Sequence, residues 1–169
     1  ISIKRPKAEH CALLGRALAG LHLASGDFGM YRANALGPKD WPVLYAGFAN
    51  RVGEIMPGLD ALIERELAVH AGGFPKDLPQ GVIHADLFPD NVFFADGKLS
   101  GLIDFYFACN DALAYDIAIC LNAWCFDAGH GFVEDKGRAL LRGYEEVRIL
   151  TTAERAAMPI LARAASLRF

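Results

Sequence analysis

Residues Val82–Phe94 have the sequence VIHADLFPDNVFF, and residues Leu102–Phe105 have the sequence LIDF. Each stretch contains a short apolar run that is followed by polar residues in a predicted loop. In the first stretch Asp86 stands five positions before Asn91, and in the second Asp104 follows the apolar run. Two carboxylates and an amide in loops beside apolar strands indicate a functional site. Such a combination of residues and strands occurs by chance less often than any one of its parts.

A β-hairpin between the two stretches is predicted to bring these polar residues together. The dipeptide Asp96-Gly97 is a strong turn signal, since both residues tolerate the positive φ angles of a tight hairpin. Short apolar strands are predicted at 92–95 and 99–103, on either side of it. The hairpin reverses the chain, so Asn91 and Asp104 are expected at the same end.

The three polar residues match the requirements of phosphoryl transfer to an alcohol. Such a reaction needs a carboxylate beside the acceptor hydroxyl, and Asp86, in a loop after a strand, is the candidate. Magnesium prefers hard oxygen ligands, which Asn91 and Asp104 offer as an amide oxygen and a carboxylate. The alternative is that these residues are ordinary loop formers and caps. Their occurrence together, between apolar strands, favours the functional interpretation.

Two further polar residues are predicted to support this loop. His84 is either a catalytic acid or base or a structural residue, and we favour the structural role because a carboxylate already fills the base role. Asp116 lies in an apolar helix, where a buried carboxylate needs partners, so it is expected to tie that helix to the loop backbone. The alternative for Asp116 is an exposed position near the helix N-terminus.

The composition describes a single globular domain. The 169 residues are 53% hydrophobic and 22% charged, which is enough apolar material for a substantial core. The net charge of −3 argues against a broad nucleic-acid or anionic-membrane surface. Asp116 and Asn122 interrupt the apolar stretch 112–126, so it is predicted to be a buried helix rather than a membrane span.

The cysteines and the chain ends concern the cellular setting. The four cysteines form no CxxC pair, and free buried thiols are expected rather than disulfides or zinc ligands. Free thiols fit a reducing, cytoplasmic compartment. The chain begins at Ile1 with no methionine or signal peptide and ends at Phe169 inside a helical pattern. We therefore expect a fragment of a longer cytoplasmic protein.

Helical spacing of apolar residues dominates the remainder of the chain. Helices are predicted at 6–24, 41–56, 59–70, 112–126 and 133–147, with a last helix starting at the capping box Thr151–Glu154. A short strand is expected at 82–83, in addition to the hairpin. The predicted fold class is therefore α+β, mostly α-helical, with a small β-hairpin embedded in one domain over 1–169.

Several of these segments also resemble a known family. The sequences HADLFPDN at 84–91, GLIDFY at 101–106 and AYDIA at 114–118 resemble the aminoglycoside phosphotransferase and choline kinase group. Within that group, IDFYFAC at 103–109, YDIAI at 115–119 and NAWC at 122–125 are most similar to bacterial homoserine kinases of that fold. One departure is Ala85, where the group usually has glycine, whose backbone is freer.

The resemblance implies one half of a two-lobed, protein-kinase-like enzyme. Residues 1–169 correspond to its C-terminal catalytic lobe, and the N-terminal nucleotide-binding lobe lies outside this chain. By the same resemblance Asp86 is the catalytic base, and Asn91 and Asp104 are the Mg²⁺ ligands. The implied reaction converts ATP and L-homoserine into ADP and O-phospho-L-homoserine, in threonine biosynthesis. The alternatives are an aminoglycoside, choline or sugar acceptor, or a non-catalytic kinase-like binding domain.

The acceptor site is expected beside Asp86, walled by the segment after Asp104 and by the later helices. Three residues are candidates for it: Tyr106, Asn122 and Trp124. The alternative for the two aromatic residues is a place in the core. The carboxylate of homoserine favours an arginine partner. The sequence does not choose among the three arginines available for this role: Arg32, Arg51 and Arg168.

Overall fold

A computed structural model of the chain describes residues 1–73 and 75–169. Six α-helices occur in this part of the chain, as the apolar spacing predicts. They are α1 (Ala8–Ala24), α2 (Trp41–Ala46), α3 (Leu59–Gly73), α4 (Leu113–Trp124), α5 (Glu134–Glu145) and α6 (Thr152–Arg168). The α6 helix begins at the predicted capping box, in which the Thr151 hydroxyl accepts the Glu154 N–H and the Glu154 carboxylate accepts the Thr151 N–H.

The predicted helix at 41–56 is the clearest error of the sequence interpretation. α2 ends at Ala46, and a separate 3₁₀ helix covers Ala49–Glu54. Gly47 caps α2, and Phe48 leaves the helical backbone region with a φ of −138°. Glycine has a low helix propensity, so the helix ends where few buried contacts hold it. The apolar residues that suggested a longer helix are partly exposed to solvent, since Val43 is 78% exposed.

In the part of the chain that the structure describes, four short strands form two antiparallel pairs. The hairpin pairs β2 (Val92–Ala95) with β3 (Lys98–Leu102), and its turn residues Asp96 and Gly97 have φ angles of 50° and 71°, as predicted. The other pair joins β1 (Gln80–Ile83) to β4 (Cys109–Ala112). The sequence did not predict β4, because Asn110 and Asp111 at its centre have low strand propensity. Pairing with β1 determines its conformation.

The α4 helix is the centre of the molecule. Ten of its residues are buried, among them Ile117 and Trp124. One apolar cluster lies between α4, α1, α5 and the hairpin, and a second lies between α4, α6 and the β1–β4 pair. This arrangement places the loop after β1 against the N-terminal turn of α4. The expected mostly helical α+β fold with a small hairpin is therefore confirmed.

Two glycines allow α1 and α5 to cross in close contact. A Cβ atom on Gly15 would lie 2.2 Å from the Leu140 carbonyl oxygen, and one on Gly143 would lie 2.1 Å from the Ala12 carbonyl oxygen. Both distances are far below van der Waals contact, so only glycine permits this approach.

Among the described residues, none of the helices combines the length and the apolarity that a bilayer crossing demands.

We predict opposite effects for two glycine-to-alanine substitutions. Gly143→Ala should lower the free energy of unfolding by about 1–3 kcal/mol, because the new methyl group forces the two backbones apart. Gly20→Ala, in α1 with open space around its Cβ position, should raise it by about 0.5–1 kcal/mol through helix propensity. Urea denaturation of both variants measures the difference. A Gly143→Ala protein as stable as the Gly20→Ala protein would contradict the close crossing.

Candidate active site

The backbone of the loop after β1 is held by one buried carboxylate. Asp116 Oδ2 accepts the His84 N–H at 2.7 Å, and Asp116 Oδ1 accepts the Ala85 N–H at 2.9 Å. Ala85 has a φ of 63°, in the left-handed region, which costs an L-residue about 1–2 kcal/mol. The two hydrogen bonds offset that cost and fix the direction in which the next residue, Asp86, leaves the loop.

Asp116 belongs to a buried polar network that extends across four helices. His22 Nε2 lies 3.2 Å from Asp116 Oδ2, and His22 Nδ1 lies 2.7 Å from the Tyr144 hydroxyl. Arg148 donates to that hydroxyl at 3.2 Å and pairs with the buried Glu154 at 2.9 Å. Both ring nitrogens of His22 therefore have a polar partner. The network joins α1, α5 and α6 to the loop.

The electrostatics of Asp116 follow from these contacts. Burial acts to raise the pKa of Asp116, but the hydrogen bond and charge of His22 and the two backbone N–H groups outweigh it and lower the pKa. The carboxylate is therefore ionised in the core. The sequence does not predict this role of His22, because its partner lies 94 positions away and no local spacing connects the two.

His84 connects the loop to the segment before Asp104. Its imidazole is fully buried, with Nε2 placed 2.9 Å from the Ile103 carbonyl oxygen. Nδ1 accepts the Asp86 N–H at 3.3 Å, and the ring packs on Phe105 with centroids 4.6 Å apart. These contacts occupy both ring nitrogens and position the residues on each side of the site.

Asp86 and Asn91 are directly linked. The Asn91 amide nitrogen donates to the Asp86 carbonyl oxygen at 2.7 Å and to Asp86 Oδ2 at 3.2 Å. This orientation turns the amide oxygen of Asn91 away from the carboxylate. Burial raises the pKa of Asp86, against the opposing effects of His84, Asn91 and Arg168, and the negative charge of Asp104 raises it further. A raised pKa makes the carboxylate a stronger base.

The hairpin returns Asp104 to this group. Asp104 is exposed, has a φ of 62° and precedes a 3₁₀ turn at Phe105–Phe107. Just before it, the Ile103 N–H donates to the Asn91 carbonyl oxygen at 3.0 Å, which ties the two ends of the hairpin together. Aspartate tolerates the left-handed conformation better than most residues. The structure thus brings together Asp86, Asn91 and Asp104, at the end of the hairpin that the sequence indicates.

The donor atoms at this position fit a magnesium ion that also binds phosphate. Asn91 and Asp104 present hard oxygen ligands, and magnesium commonly takes its remaining ligands from substrate phosphates and water. Within residues 1–73 and 75–169, no cluster of three or more His, Cys, Asp or Glu side chains forms a metal cage.

The three candidates for the acceptor site lie in different places. Tyr106 is 71% exposed and lines a cavity of about 220 Å³, together with Arg32, Phe107 and Arg168. Trp124 is completely buried, and its indole N–H donates to the Leu87 carbonyl oxygen at 2.8 Å. The Asn122 amide donates to the Ala162 carbonyl oxygen and the Ser166 hydroxyl.

Asn122 and Trp124 are thus occupied in packing. Asn122 connects α4 to α6, and Trp124 hydrogen-bonds to the backbone of the loop after β1 at Leu87. We therefore assign neither of them an acceptor contact. Among the three arginines, Arg51 is exposed and pairs with Glu54 at 3.5 Å. Arg32 and Arg168 lie beside Tyr106 instead. The cavity next to the segment after Asp104 therefore carries two positive charges.

Comparisons with known proteins agree with this geometry. The model of the phosphotransferase enzyme family matches residues 4–150. The homoserine kinase of Xanthobacter autotrophicus is 58% identical over 169 residues, covering 100% of this chain and 53% of that protein. The homoserine kinase of Parvibaculum lavamentivorans is 56% identical over 169 residues, with the same coverage of 100% and 53%. The chain spans about half the length of the curated relatives it matches.

Solved structures share the fold. An aminoglycoside-3′-phosphotransferase of type VIII superposes with a TM-score of 0.73 at 22% identity, covering 99% of this chain and 64% of that one. An aminoglycoside phosphotransferase from Alicyclobacillus acidocaldarius superposes with a TM-score of 0.65 at 21% identity, covering 96% and 55%. At this level of identity the similarity describes the architecture alone.

We predict a pH-dependent loss of stability on substituting Asp116. Asp116→Asn should lower the free energy of unfolding by about 3 kcal/mol at pH 7, because the amide nitrogen would face a backbone N–H. The pKa of Asp116 is lower in the folded protein than its unfolded value of about 3.9. Its stabilising contribution is thus complete above pH ~4 and is lost as the pH falls through the folded-state pKa.

Urea denaturation at several pH values tests this expectation. The difference between the wild type and Asp116→Asn should be constant from pH ~7 to ~5 and should shrink below pH ~4. Asp135→Asn, a substitution of an exposed carboxylate in the first turn of α5, serves as the control and should change stability little. An Asp116→Asn protein with wild-type stability at pH 7 would show that the carboxylate does not hold the loop.

Proposed function

The chain belongs to the phosphotransferase enzyme family, and we propose that it is the C-terminal catalytic lobe of an ATP-dependent kinase that phosphorylates the hydroxyl group of L-homoserine. The observation that carries the proposal is the linked group of Asp86, Asn91 and Asp104. It occurs in a chain that is 58% identical, over its full length, to a homoserine kinase. The acceptor named for that relative is the one we propose here.

The domain assignment follows from the length of the relatives. The 169 residues cover 53% of the Xanthobacter autotrophicus protein, which leaves room for a second lobe of similar size. We propose that residues 1–169 form the catalytic lobe and that an N-terminal lobe supplies the ATP contacts. In this arrangement ATP lies between the lobes, with its γ-phosphate near Asp104 and Asn91.

The proposed mechanism assigns one role to each residue. Asp86 orients the acceptor hydroxyl and takes its proton as the oxygen attacks the γ-phosphorus and the bond to the β–γ bridging oxygen breaks. Asn91 and Asp104 would hold Mg²⁺, which neutralises charge on the phosphates when it is bound. Asn91 also fixes the Asp86 carboxylate through its amide N–H. His84 and Asp116 are positioning residues.

The products of this reaction are ADP and O-phospho-L-homoserine, and the reaction belongs to threonine biosynthesis. We place the enzyme in the cytoplasm, where ATP is available. The free state of the four buried cysteines (Cys11, Cys109, Cys120 and Cys125) supports a reducing compartment.

Other acceptors of the same class are less well supported. Aminoglycosides and choline are cations, and a site for them is expected to offer acidic or aromatic groups. The cavity beside Tyr106 instead carries Arg32 and Arg168, whose charges repel a cation. A non-catalytic binding domain is a further alternative. It has no chemical need to retain Asp86, Asn91 and Asp104 together. The hydrogen bonds from Asn91 to Asp86, with Asp104 returned beside them by the hairpin, favour catalysis.

We predict that the full-length enzyme discriminates among acceptors by charge. Its kcat/KM for L-homoserine should exceed that for choline or kanamycin by at least about 100-fold, since the cationic acceptors lack a carboxylate and are repelled by the two arginines. A coupled assay of ADP release in the presence of Mg²⁺ measures all three rates. Turnover of kanamycin or choline without turnover of homoserine would overturn the proposed substrate.

We also predict that Asp86→Ala abolishes most of the activity without unfolding the enzyme. The variant should lose about 10²–10⁴-fold in kcat, the usual contribution of a general base. Its melting temperature should match or exceed that of the wild type, because a partly buried charge is removed. Asp135→Ala is the control, and it should keep wild-type kcat. An Asp86→Ala enzyme with normal kcat would exclude the assigned base.

A further inference from the structure

Arg168, near the end of α6, is a partly buried cation with no carboxylate beside it. No Asp or Glu oxygen in the described part of the chain lies within 4.0 Å of its guanidinium group. Arg148 is the informative contrast, because its side chain is 12% exposed and pairs with Glu154 at 2.9 Å. Partly buried charges are normally paired, so the isolation of Arg168 points to an anion that comes from outside the chain.

Neutral groups hold the Arg168 side chain in place. Its Nη1 lies 3.5 Å from the amide oxygen of Asn34. Its guanidinium carbon lies 5.9 Å from the centroid of the Phe107 ring and 5.1 Å from that of Phe169. Aromatic faces and an amide orient a guanidinium without neutralising it. The side chain is thus preorganised while its positive charge remains available.

The position of Arg168 relates it to the catalytic residues. Phe169 packs on Phe88, two residues after Asp86, with ring centroids 4.8 Å apart. Phe107 lies three residues after Asp104. The two aromatic rings beside the Arg168 guanidinium thus belong to the segment after Asp104 and to the residue that packs on the loop of Asp86. Arg168 therefore lies next to the segments that carry the proposed catalytic residues.

We infer that Arg168 binds the α-carboxylate of the acceptor amino acid and so selects a carboxylate-bearing alcohol as substrate. This inference rests on the proposed function and goes beyond it by naming the specificity-determining residue. A short amino acid places its carboxylate only three carbon atoms from its hydroxyl oxygen, so the cation that binds it must lie close to the base. Arginine suits this task because its planar fork matches the two carboxylate oxygens.

Arg32 contributes to the same positive region in a different way. Its Nη1 donates to the Tyr106 carbonyl oxygen at 2.5 Å, and its side chain is exposed. It therefore fixes the segment after Asp104 and has less capacity left for a ligand. Arg168 is the better candidate for direct contact, since no backbone carbonyl hydrogen-bonds to it among the interactions seen within residues 1–73 and 75–169.

A pair of acceptors tests the inference in the full-length kinase. L-Homoserine is compared with 3-amino-1-propanol, which is homoserine without its carboxylate. The wild type should prefer homoserine by at least about 100-fold in kcat/KM. Arg168→Met should raise the KM for homoserine about 10- to 100-fold and leave both the KM for ATP and kcat/KM for 3-amino-1-propanol nearly unchanged. Arg138→Met, an exposed arginine of α5, is the control.

The outcomes separate the inference from the function on which it rests. A wild type that does not phosphorylate homoserine contradicts the proposed function itself. If the wild type is active and Arg168→Met keeps its preference, or loses activity equally for both acceptors, Arg168 does not bind the carboxylate. A raised KM for ATP in place of homoserine would assign Arg168 to phosphate, and loss of the preference in Arg32→Met alone would assign the role to Arg32.

A conservative variant covers the case in which Arg168→Met fails to fold. Arg168→Lys keeps the charge and the apolar stem but loses the planar fork. Its KM for homoserine should lie between those of the wild type and Arg168→Met, with a melting temperature near that of the wild type. A KM for homoserine in Arg168→Lys equal to that of the wild type would show that a bidentate contact is not made.

Discussion

The buried carboxylate of Asp116 is the constraint on which the site depends. It accepts two consecutive backbone N–H groups, from His84 and Ala85, and so holds Ala85 in a left-handed conformation that an alanine does not favour. The chain leaves that residue with Asp86 directed toward Asn91. Asp116 stays ionised in the core because His22 and the two N–H groups stabilise its charge.

This constraint connects the fold to the chemistry. Asp116 lies in the first turn of α4, the most buried helix. Its hydrogen bonds therefore attach the loop after β1 to the helix at the centre of the molecule. His22 extends the same network to α1, and Tyr144 extends it to α5. The close crossing at Gly15 and Gly143 keeps these two helices together. The loop backbone that positions the proposed base is therefore connected by hydrogen bonds to the packing of these helices.

The local features of the fold were open to prediction from the sequence. Stripes of apolar residues indicated the helices, Asp96-Gly97 indicated the hairpin, and the capping box at Thr151 indicated the start of α6. Each depends on residues within a few positions of one another. Two elements were predicted wrongly because they depend on distant contacts. The strand β4 was missed, since its conformation depends on pairing with β1. The helix at 41–56 was predicted too long, since Val43 is exposed and the end of this helix is not held by buried contacts.

The sequence by itself determined the candidate catalytic group, since Asp86 follows the short strand β1 and Asn91 and Asp104 flank the β2–β3 hairpin, whose geometry is local. Only the tertiary structure decided which polar residues extend the support beyond His84 and Asp116, and which arginine lies beside the group. His22 meets Asp116 across 94 positions, and Arg168 meets Asn34 across 134. Contacts over such separations arise from the packing of distant segments against one another, so no spacing in the sequence records them.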